Sequence, residues 1–460
     1  MSDKKKTLAE LAAEVNTATD ARNRLTYLFD DGKFTELDPF AMSGDELSGV
    51  VTAFGYVAQN PVYAYSQDIS VKKGAMTEVH AKKISKVYSL AAKTGVPVVG
   101  IYDSFGADVS NPAAALNAYG YLLSKVSNLS GVVPQIAVVA GTCAGCAAML
   151  AESADLTIVT KQGELYVAPN ADIKDLAQNA ANSGAACAVC EDDKAACELA
   201  RELVSKLPQN NLSPVPMYEF DEPSFAGLSN ADEAVSSLFD DDSAVELYAD
   251  YGKASYTALA TLGGATVGVA ATNKTEDKLT SADCSKIARF VRLCDAFAVP
   301  VVTIVDTQGF EANDASEMQG AVKDMAKLAH AYAEATTIKL AVVTGKACGP
   351  AFVALAGKGA NADLVYATEN AAISALDPVT AVEFLEHDKL KGAKDLAAAR
   401  KELADEYVKE NASAVLAAAN GCVDNVLAAN AVRSALIDSI EIMAGKRVTG
   451  LPKKHSNIQL

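Results

Sequence analysis

The pattern of apolar and polar positions divides the chain into strands and helices. Residues 48–71 alternate between the two classes on either side of an AQNP turn, which predicts two or three short strands. Apolar side chains then recur at helical spacing through residues 77–94, and Gly95 stops that helix. Buried strands are predicted at 98–102 and 136–141, and each leads through a glycine-containing turn into another helix. Strands that alternate with helices in this way are typical of an α/β fold.

The same order of elements occurs twice along the chain. The segment VPVVGIYDSFGA at residues 96–107 returns as VPVVTIVDTQGF at 299–310, an offset of 203 residues. Longer blocks on both sides keep their order at nearly the same offset, so the repeat is a long internal duplication. We therefore expect two similar domains, at residues 1–215 and 216–460, with a linker rich in Pro, Asn, Asp and Ser at 208–250.

Composition narrows the class of protein. Half of the 460 residues are apolar, which is typical of a globular chain, and the formal net charge of −18 argues against nonspecific binding of nucleic acid. The first residues include lysines but not the apolar core of a signal peptide. The uncharged stretch 128–151 is long enough to span a bilayer, but Pro134, Gly141 and Gly145 interrupt it. This favours a strand, a turn and a helix in a cytoplasmic protein.

The nine cysteines include two pairs at CxxC spacing. The pairs are Cys143–Cys146 and Cys187–Cys190, and this spacing suits zinc. The first pair lies inside a glycine-containing turn, and the second in an Ala-rich stretch. The favoured interpretation is reduced thiols that fill the core, so we predict no metal site.

Each half contains two strand-to-helix turns that carry glycine. They read SFGA and GTCAGC in the first half and TQGF and KACGPA in the second. The first N–H groups of a helix lack partners within the helix, and glycine lets a ligand approach the backbone closely. Two such turns on neighbouring strands can direct two N–H donors at one oxygen atom, which is an oxyanion hole. One turn alone is more often structural, but the repetition of the pair in both halves favours a function.

Longer blocks of the sequence resemble a known enzyme family. The blocks at residues 21–40 (ARNRLTYLFDDGKFTELDPF), 131–148 (GVVPQIAVVAGTCAGCAA) and 326–352 (AKLAHAYAEATTIKLAVVTGKACGPAF) are similar, in the same order, to carboxyltransferase subunits of biotin-dependent acyl-CoA carboxylases and decarboxylases. That family includes propionyl-CoA carboxylase beta and methylmalonyl-CoA decarboxylase alpha subunits. The resemblance covers nearly the whole chain. It implies an α/β fold of two tandem crotonase-like (ClpP/crotonase) ββα-superhelix domains.

The chemistry implied by the resemblance explains why the chain is duplicated. Release of the carboxyl group leaves an anion on the biotin ureido group, and removal of a proton from the acyl-CoA α-carbon gives a thioester enolate. Two oxyanions form, so the first domain is implied to be the acyl-CoA side and the second the biotin side. The implied hole residues are Gly106, Ala107, Gly145 and Cys146 in the first domain and Gly309, Phe310, Gly349 and Ala351 in the second.

The two holes are not expected to be built identically. In the first, we expect the Ala107 N–H to act with that of Gly145 or Cys146. Pro350 stands where the family has glycine and aligns with Cys146, but proline has no N–H. In the second hole we therefore expect the Ala351 N–H to act with a donor from the TQGF turn, Gly309 or Phe310.

Other candidate residues concern coenzyme A and the acyl group. Asp108 stands where the family has an Arg-containing stretch, which puts the usual coenzyme A contacts in doubt. Ala315 stands where several members carry a polar residue, and a small apolar residue there favours a propionyl or methylmalonyl group. Coenzyme A carries phosphates, and an acidic protein needs local basic groups to receive them. The candidates are Lys72, Lys73, Lys82 and Lys83, with an ordinary solvated surface as the alternative.

The resemblance also implies partners. The chain has no Met-Lys-Met biotinylation pattern, so biotin is expected on a separate carrier protein. A biotin carboxylase or a membrane decarboxylase subunit, the latter within a sodium pump, is the further expected partner. The family forms dimers, often within hexamers, whose sites are shared between chains, and nucleic acid is not an expected partner. The protein is then cytoplasmic, either free or attached to a membrane complex.

Two other functions stay open from the sequence. A crotonase-type hydratase or isomerase needs glutamates that face the thioester, and Glu152 follows the first hole without an evident acidic partner. A non-catalytic or divergent acyl-CoA-binding scaffold of the same fold is the second alternative, which Asp108 and Pro350 keep open.

Overall fold

The structure is a computed structural model that describes residues 6–168, 172–360, 362–448 and 451–459. Contacts divide the chain into two compact units, Met1–Pro216 and Met217–Leu460. Each unit is built on its own mixed sheet with helices around it.

The first unit begins with two helices and a short meander. Its strands are β1 (Phe34–Leu37), β2 (Met42–Ser43), β3 (Glu46–Leu47), β4 (Val50–Val57), β5 (Asn60–Gln67), β6 (Val98–Ser104), β7 (Gln135–Ala144), β8 (Leu156–Thr160), β9 (Glu164–Tyr166) and β10 (Ala188–Cys190). Its helices are α1 (Leu8–Val15), α2 (Asp20–Leu28), α3 (Glu78–Thr94), α4 (Pro112–Leu129), α5 (Cys146–Ala151), α6 (Leu176–Asn182) and α7 (Asp193–Lys206).

The second unit repeats this plan and ends in a helical segment. Its strands are β11 (Val245–Glu246), β12 (Tyr256–Leu262), β13 (Ala265–Ala271), β14 (Val301–Val305), β15 (Lys339–Val343), β16 (Lys346–Cys348), β17 (Leu364–Thr368), β18 (Ala372–Ser374) and β19 (Asn425–Leu427). Its helices are α8 (Ala231–Leu238), α9 (Ser281–Ala296), α10 (Asp314–Met318), α11 (Ala321–Glu334), α12 (Pro350–Ala356), α13 (Pro378–Leu385), α14 (His387–Lys391), α15 (Leu396–Tyr407), α16 (Ala414–Ala419) and α17 (Val432–Met443).

The two main sheets have matching strand orders within the described residues. The first runs β1-β4-β5-β6-β7-β8-β10, and the second runs β11-β12-β13-β14-β15-β17-β19. In each, the first three strands are antiparallel and the remaining pairs are parallel. β9 pairs with the end of β7, as β18 pairs with β16. The parallel strands therefore bring the strand-to-helix turns of each unit to one edge of its sheet.

The long helix before this edge starts and stops as the sequence predicts. Thr77 caps α3 by accepting the His80 N–H, and Gly95 ends it in the left-handed conformation. Thr280 and Asp283 form a capping box at the start of α9. The predicted hairpin is also present, because β4 and β5 pair across a tight turn.

A buried lysine ties that long helix to the neighbouring hairpin in both units. Lys83 in α3 is 4% exposed, and its Nζ donates to the Val50 carbonyl at 2.8 Å. Lys286, 203 residues later in α9, is 2% exposed and donates to the Ser255 carbonyl at 2.7 Å. Burial lowers the pKa of Lys83 to about 8 and that of Lys286 to about 8. The duplication therefore preserves a buried cation as well as the strand order.

The cores of the two units bury hydroxyl groups at different positions. The Tyr65 hydroxyl lies 2.6 Å from that of Tyr102 and 3.4 Å from that of Tyr88, and all three residues are buried. Burial raises the pKa of each of these phenols. In the second unit the positions equivalent to Tyr88 and Tyr102 hold Val291 and Val305, both buried. The first core thus has a cluster of three hydroxyl groups where the second has valines, and the second core instead buries a hydroxyl pair, Thr303 and Tyr332, whose oxygens are 2.8 Å apart.

Two expectations about chain organisation can now be judged. The uncharged stretch 128–151 contains the predicted strand and helix, β7 and α5, but β7 continues through Ala144 into the predicted GTCAGC turn. Across the described residues no helix is long and apolar enough to cross a membrane. The expected linker at 208–250 is too long. Ala231 and Leu238 of α8 are buried in the core of the second unit, and β11 joins its main sheet. Apolar side chains at helical spacing inside a polar stretch explain the error.

Candidate active site

In the first unit, the turn after β6 is fixed by a serine. The Ser104 Oγ donates to the Gly74 carbonyl at 2.6 Å and accepts the Gly106 N–H at 3.0 Å. Gly106 has a φ of 102°, a conformation that favours glycine. The next residue, Ala107, forms an isolated parallel bridge with Met76. Side-chain and backbone contacts together therefore set the course of this turn.

The second turn of the first unit joins β7 to α5. Gly145 is the N-cap of α5, with φ 55° and ψ −116°, and its N–H donates to the Tyr166 carbonyl at 3.1 Å. The two strands that lead into the turns are in register at this end, since Ser104 pairs with Cys143. The two turns are therefore neighbours at the edge of the sheet.

The second unit repeats both turns with nearly the same backbone. Gly309 has a φ of 91°, and its N–H donates to the Thr307 Oγ1 at 3.2 Å. Gly349 is the N-cap of α12, with φ 53° and ψ −126°, and its N–H donates to the Ser374 carbonyl at 2.8 Å. The residue after Gly309, Phe310, holds the isolated bridge that corresponds to the one in the first unit.

Four of the expected hole residues are thus engaged by the turns themselves. The N–H groups of Gly106, Gly145, Gly309 and Gly349 all donate to acceptors within their own unit. An N–H that is already hydrogen-bonded in this way is not free for a ligand oxygen. These glycines shape the turns, and the candidate donors are the residues that follow them.

In the first unit, two of the expected donors stay available. Within the described ranges, the N–H groups of Ala107 and Cys146 have no protein acceptor, and both residues are partly exposed. Cys146 is the first residue of α5, where an N–H has no partner inside the helix. The first unit therefore presents a donor from each of its two turns.

In the second unit, one expected donor stays available. The N–H of the partly exposed Phe310 has no acceptor in the part of the chain that the structure describes. Pro350 is the first residue of α12 and has no N–H. Ala351, the donor expected from the sequence, is 0% exposed, so its N–H is not open to a ligand. The second pair of turns therefore lacks an exposed counterpart of the Cys146 N–H.

A buried aspartate, Asp103, lies in β6 where the register between the turn-forming strands β6 and β7 shifts. A Cβ at Gly141 would collide with the Asp103 carboxylate, so only glycine fits beside it. The Arg24 Nη1 donates to the Asp103 Oδ2 at 2.9 Å, and the Arg24 Nε donates to Asp193 at 2.6 Å. Burial raises the pKa of Asp103, and the Arg24 charge opposes that increase. This arginine, in the block at 21–40, was not among the expected site residues.

The equivalent aspartate of the second unit is held without an arginine. Asp306 lies against Gly345 as Asp103 lies against Gly141, and its Oδ1 accepts the Lys346 N–H at 2.8 Å. The Lys346 Nζ forms a hydrogen bond of 3.1 Å to the Gln308 Oε1, in the neighbouring turn.

The same Lys346 ammonium also forms an ion pair with Asp377, the N-cap of α13. Sequence reasoning missed this lysine. The available signal was a charged residue inside the KACGPA turn.

Lys72 and Lys73 lie close to the first pair of turns. Both have positive φ, 48° and 56°, which is strained for lysine. The Lys72 Nζ donates to the Ser43 carbonyl at 3.2 Å, and the Lys73 Nζ lies 5.3 Å from the centre of the exposed Phe105 ring. Phe105 belongs to the SFGA turn, so the Lys73 charge lies beside a side chain of that turn.

The other two expected phosphate contacts differ from these. Lys82 is exposed and pairs with Glu78 at 3.3 Å, as expected for a solvated helix face. Lys83 is the buried lysine that donates to the Val50 carbonyl, so its ammonium is not available to a phosphate. Its repetition as Lys286 at the 203-residue offset was the sequence signal for a structural role.

Asp108 and Ala315 occupy ordinary local structures. Asp108 accepts the Ser110 N–H at 2.9 Å and the Ser110 hydroxyl at 2.6 Å, and these bonds lower its pKa. Its carboxylate is therefore engaged in its own loop. Ala315 is an exposed residue of α10, the short helix that follows Phe310.

The remaining expectations concern the cysteines and the possible glutamate base. All nine cysteines are free, and burial raises the pKa of Cys143 and, to about 12, that of Cys187. Among the described residues no group of three His, Cys, Asp or Glu side chains is arranged to hold a metal ion. Glu152 caps the C-terminal end of α5, opposite the turn. The arrangement therefore offers backbone donors and fixed charges, the elements that stabilise an oxyanion.

Comparison with known proteins identifies the relatives of this chain. Residues 17–458 match the carboxyl transferase domain family. The chain is 35% identical to the methylmalonyl-CoA decarboxylase subunit alpha of Propionigenium modestum, over 96% of this chain and 93% of that one. It is 34% identical to the propionyl-CoA carboxylase beta chain of Saccharopolyspora erythraea, over 96% and 90%.

The fold has a solved relative as well. The crystal structure of transcarboxylase 12S, a hexamer with methylmalonyl-coenzyme A and methylmalonic acid bound, superposes with a TM-score of 0.90 at 31% identity and covers 97% of this chain and 93% of that one. This match confirms the crotonase-like fold class that the sequence resemblance implied.

Proposed function

Because the chain belongs to the carboxyl transferase family and is a carboxyltransferase, we propose that it moves a carboxyl group between a short acyl-CoA and biotin on a separate carrier protein. The acyl pair is methylmalonyl-CoA and propionyl-CoA, the compounds after which its relatives are named. A small residue at Ala315 agrees with this choice. The expected partners are a biotin carrier protein and either a biotin carboxylase or a membrane decarboxylase subunit.

One observation carries the proposal. Equivalent turns in the two units each end in a free, partly exposed N–H, that of Ala107 in the first and that of Phe310 in the second. A reaction with one developing oxyanion needs one such site, whereas carboxyl transfer between two carbonyl compounds needs two. The chain therefore has one such turn for each of the two oxyanions that form in the reaction.

The two units have different proposed tasks. In the first, the N–H groups of Ala107 and Cys146 bind the thioester oxygen and favour the enolate form of the acyl group. Lys72 and Lys73 place positive charge beside that turn, which suits the phosphates of coenzyme A. In the second, the N–H of Phe310 faces biotin, which carries the carboxyl group when bound. No side-chain base is assigned to the chain.

The proposed assembly is at least a dimer, in which the first unit of one chain completes a site with the second unit of another. Hexamer assembly of transcarboxylase 12S supports an oligomer. The proposed location is the cytoplasm, with membrane attachment only through a decarboxylase partner.

The direct test uses the full-length protein with methylmalonyl-CoA and free biotin as the probe for the carrier. We expect propionyl-CoA, measured by chromatography, to accumulate only when biotin is present. Acetyl-CoA and malonyl-CoA serve as controls for the acyl group. Biotin-independent hydration or isomerisation of an enoyl-CoA would contradict the proposal and favour a crotonase-type activity.

The shared site has its own test. Ala107→Pro removes the donor of the first unit, and Phe310→Pro removes that of the second. If sites are shared, each variant is inactive alone, but a mixture reassembled from dissociated chains regains part of the activity, because some interfaces contain two intact units. A mixture that stays inactive would place each site within one chain.

A further inference from the structure

The turns of the second unit leave one requirement unfilled. An oxyanion hole works with two donors, and the first unit supplies them as the N–H groups of Ala107 and Cys146. In the second unit Phe310 supplies one, but Pro350 has no N–H and Ala351 is buried. A side chain near the same turns is the remaining exposed source of a second donor.

Lys346 belongs to one of these turns and contacts the other. It is three residues before the N-cap glycine of α12, and its ammonium reaches across to Gln308, two residues before Phe310. Its other partner is Asp377 at the start of α13. An ammonium has three N–H groups, so two partners leave one for a ligand. The Lys346 side chain is 27% exposed, which keeps it within reach of one.

The first unit lacks this cation where it has the second backbone donor. The residue aligned with Lys346 is Thr142, whose hydroxyl donates to Glu164 at 2.8 Å. Each unit therefore has one of the two donors. The first has the free N–H of Cys146 and a threonine at the aligned position, and the second has Pro350 and the lysine.

We propose that Lys346 is the second donor of the biotin-side hole, with its ammonium acting in place of the backbone N–H that Pro350 lacks. This inference rests on the proposed function of the second unit. The ammonium keeps its protons throughout and donates a hydrogen bond to the ureido oxygen of biotin, where negative charge develops.

A purely structural role of the lysine can be separated from this one. The Lys346 N–H bonds Asp306 at 2.8 Å, and its carbonyl accepts the Thr307 N–H at 2.8 Å. These backbone bonds survive any side-chain replacement except proline. Lys346→Met is therefore expected to keep the turn and to lose only the ammonium.

The first test compares Lys346→Met and Lys346→Arg in the full-length protein, with free biotin and methylmalonyl-CoA as probes. Loss of one hole donor is expected to lower kcat by about 100- to 1000-fold. Affinity for biotin, measured by calorimetry, should fall about 10-fold, as expected for a lost charged hydrogen bond. Affinity for methylmalonyl-CoA should not change, and Arg should restore part of both losses.

A matched control removes an ion pair elsewhere in the same unit. The Lys446 Nζ bonds Asp363 at 2.8 Å with side-chain exposures of 14% and 20%, at the amino ends of β15 and β17, opposite the turns. Lys446→Met should leave biotin affinity and kcat unchanged. If Lys346→Met lowers thermal stability more than this control, Asp377→Asn replaces it as the test. This variant removes the ion pair that holds the ammonium in place but keeps an oxygen at the cap of α13, so it should lower biotin affinity without unfolding.

The second test restores the missing backbone donor. Pro350→Ala adds an N–H at the position of Cys146, and alanine is well tolerated at the start of a helix. If Lys346 substitutes for that N–H, Pro350→Ala should raise kcat at least about 10-fold in the Lys346→Met background, and much less in the wild type, since coupled residues are not additive.

Three outcomes would overturn the inference. Equal biotin affinity in Lys346→Met and the wild type would exclude a contact with biotin. Additive effects of Pro350→Ala and Lys346→Met would reduce the lysine to a structural role. A wild-type protein that binds methylmalonyl-CoA but neither binds nor carboxylates biotin would overturn the proposed function and this inference together, whereas the first two outcomes leave the proposed function intact.

Discussion

The two units share the backbone of their turns and differ in the side chains that hold and surround them. Gly145 and Gly349 have φ values of 55° and 53°, although a cysteine follows the first and a proline the second. Because proline is tolerated in the first position of a helix, the exchange costs the fold little. The second unit, however, lacks the unbonded N–H that Cys146 supplies in the first.

The charged groups around the turns also differ between the two units. Asp103 is paired with Arg24, whereas Asp306 is held mainly by a backbone N–H. Lys72 and Lys73 beside the first turn align with a threonine and a glutamate in the second unit. Duplication has thus kept the elements that fix the backbone, and the charges around it have diverged. This is the expected result if the units bind different ligands at similar oxyanion holes.

The largest effect should come from breaking the buried ion pair between Arg24 and Asp103 in the first unit. Arg24→Met leaves the 5%-exposed Asp103 without its cation, and removal of one partner of a buried pair typically costs about 3–5 kcal/mol. Urea unfolding of the full-length chain, with probes for each unit, should show this loss in the first unit.

Arg201→Met provides the control for that comparison. Its pair with Asp30 has side-chain exposures of 28% and 29%, so the loss of free energy should be much smaller. Asn273→Ala, beside Asp306, should also cost little. An Arg24→Met variant as stable as Arg201→Met would show that the buried Arg24–Asp103 pair stabilises the chain no more than the more exposed Arg201–Asp30 pair.

The next largest effect concerns the free backbone donors. Ala107→Pro removes an N–H that has no acceptor in the described structure, so catalysis should suffer more than stability. We expect kcat for carboxyl transfer to fall about 100- to 1000-fold, with circular dichroism unchanged. Val109→Pro, two residues along the same loop and 90% exposed, is the control. Turnover of Ala107→Pro within a few-fold of Val109→Pro would remove Ala107 from the hole.

Much of the fold followed from the sequence because it depends on local signals. The ends of α3 at Thr77 and Gly95 and the hairpin of β4 and β5 follow from residues close together in the sequence. The 203-residue repeat is visible directly as similar residues at a fixed offset. The crotonase-like architecture came from the resemblance. Part of the expected linker was misread because α8 buries its apolar face against strands far along the chain.

The site was only partly predictable because its donors depend on which N–H groups are already used. The sequence placed the glycines at the turns, but not the bonds of Gly145 and Gly349 to carbonyls of following strands. It did not show that Ala351 is buried, or that the Lys346 ammonium reaches Gln308. These facts depend on tertiary contacts, which no local pattern encodes.

A third prediction tests a feature that the two units share. Lys83 and Lys286 each titrate near pH 8 in the folded chain but near 10.5 when unfolded. Between those values the unfolded chain binds more protons, so the free energy of unfolding should rise with pH, by up to about 1.4 kcal/mol per pH unit for each lysine. Below pH 8 both states are protonated and the slope vanishes.

Substitution at either position should remove an equal share of that slope. We expect Lys83→Met and Lys286→Met each to reduce the pH dependence of urea unfolding between pH 8 and 10, and Lys82→Met, on the exposed face of α3, to leave it unchanged. A slope that only one of the two buried lysines controls would show that the duplication preserved the residue but not its environment.

The smallest effect concerns the charge that distinguishes the surroundings of the two pairs of turns. Lys73 lies over the Phe105 ring beside the first turn, and the residue 203 positions later is Glu276. If the first unit binds coenzyme A, Lys73→Gln removes one attraction to a phosphate at an exposed position, which is worth about 0.2–1 kcal/mol, or roughly a 1.5- to 5-fold increase in KM for methylmalonyl-CoA. The kcat and the affinity for biotin should not change, and the difference from wild type should shrink at high salt, because exposed charges are screened. Lys33→Gln, at a comparably exposed lysine of the same unit, is the control. An equal increase in KM for both variants would show only the loss of net charge, whereas a change in biotin affinity with Lys73→Gln would reverse the assignment of the two units.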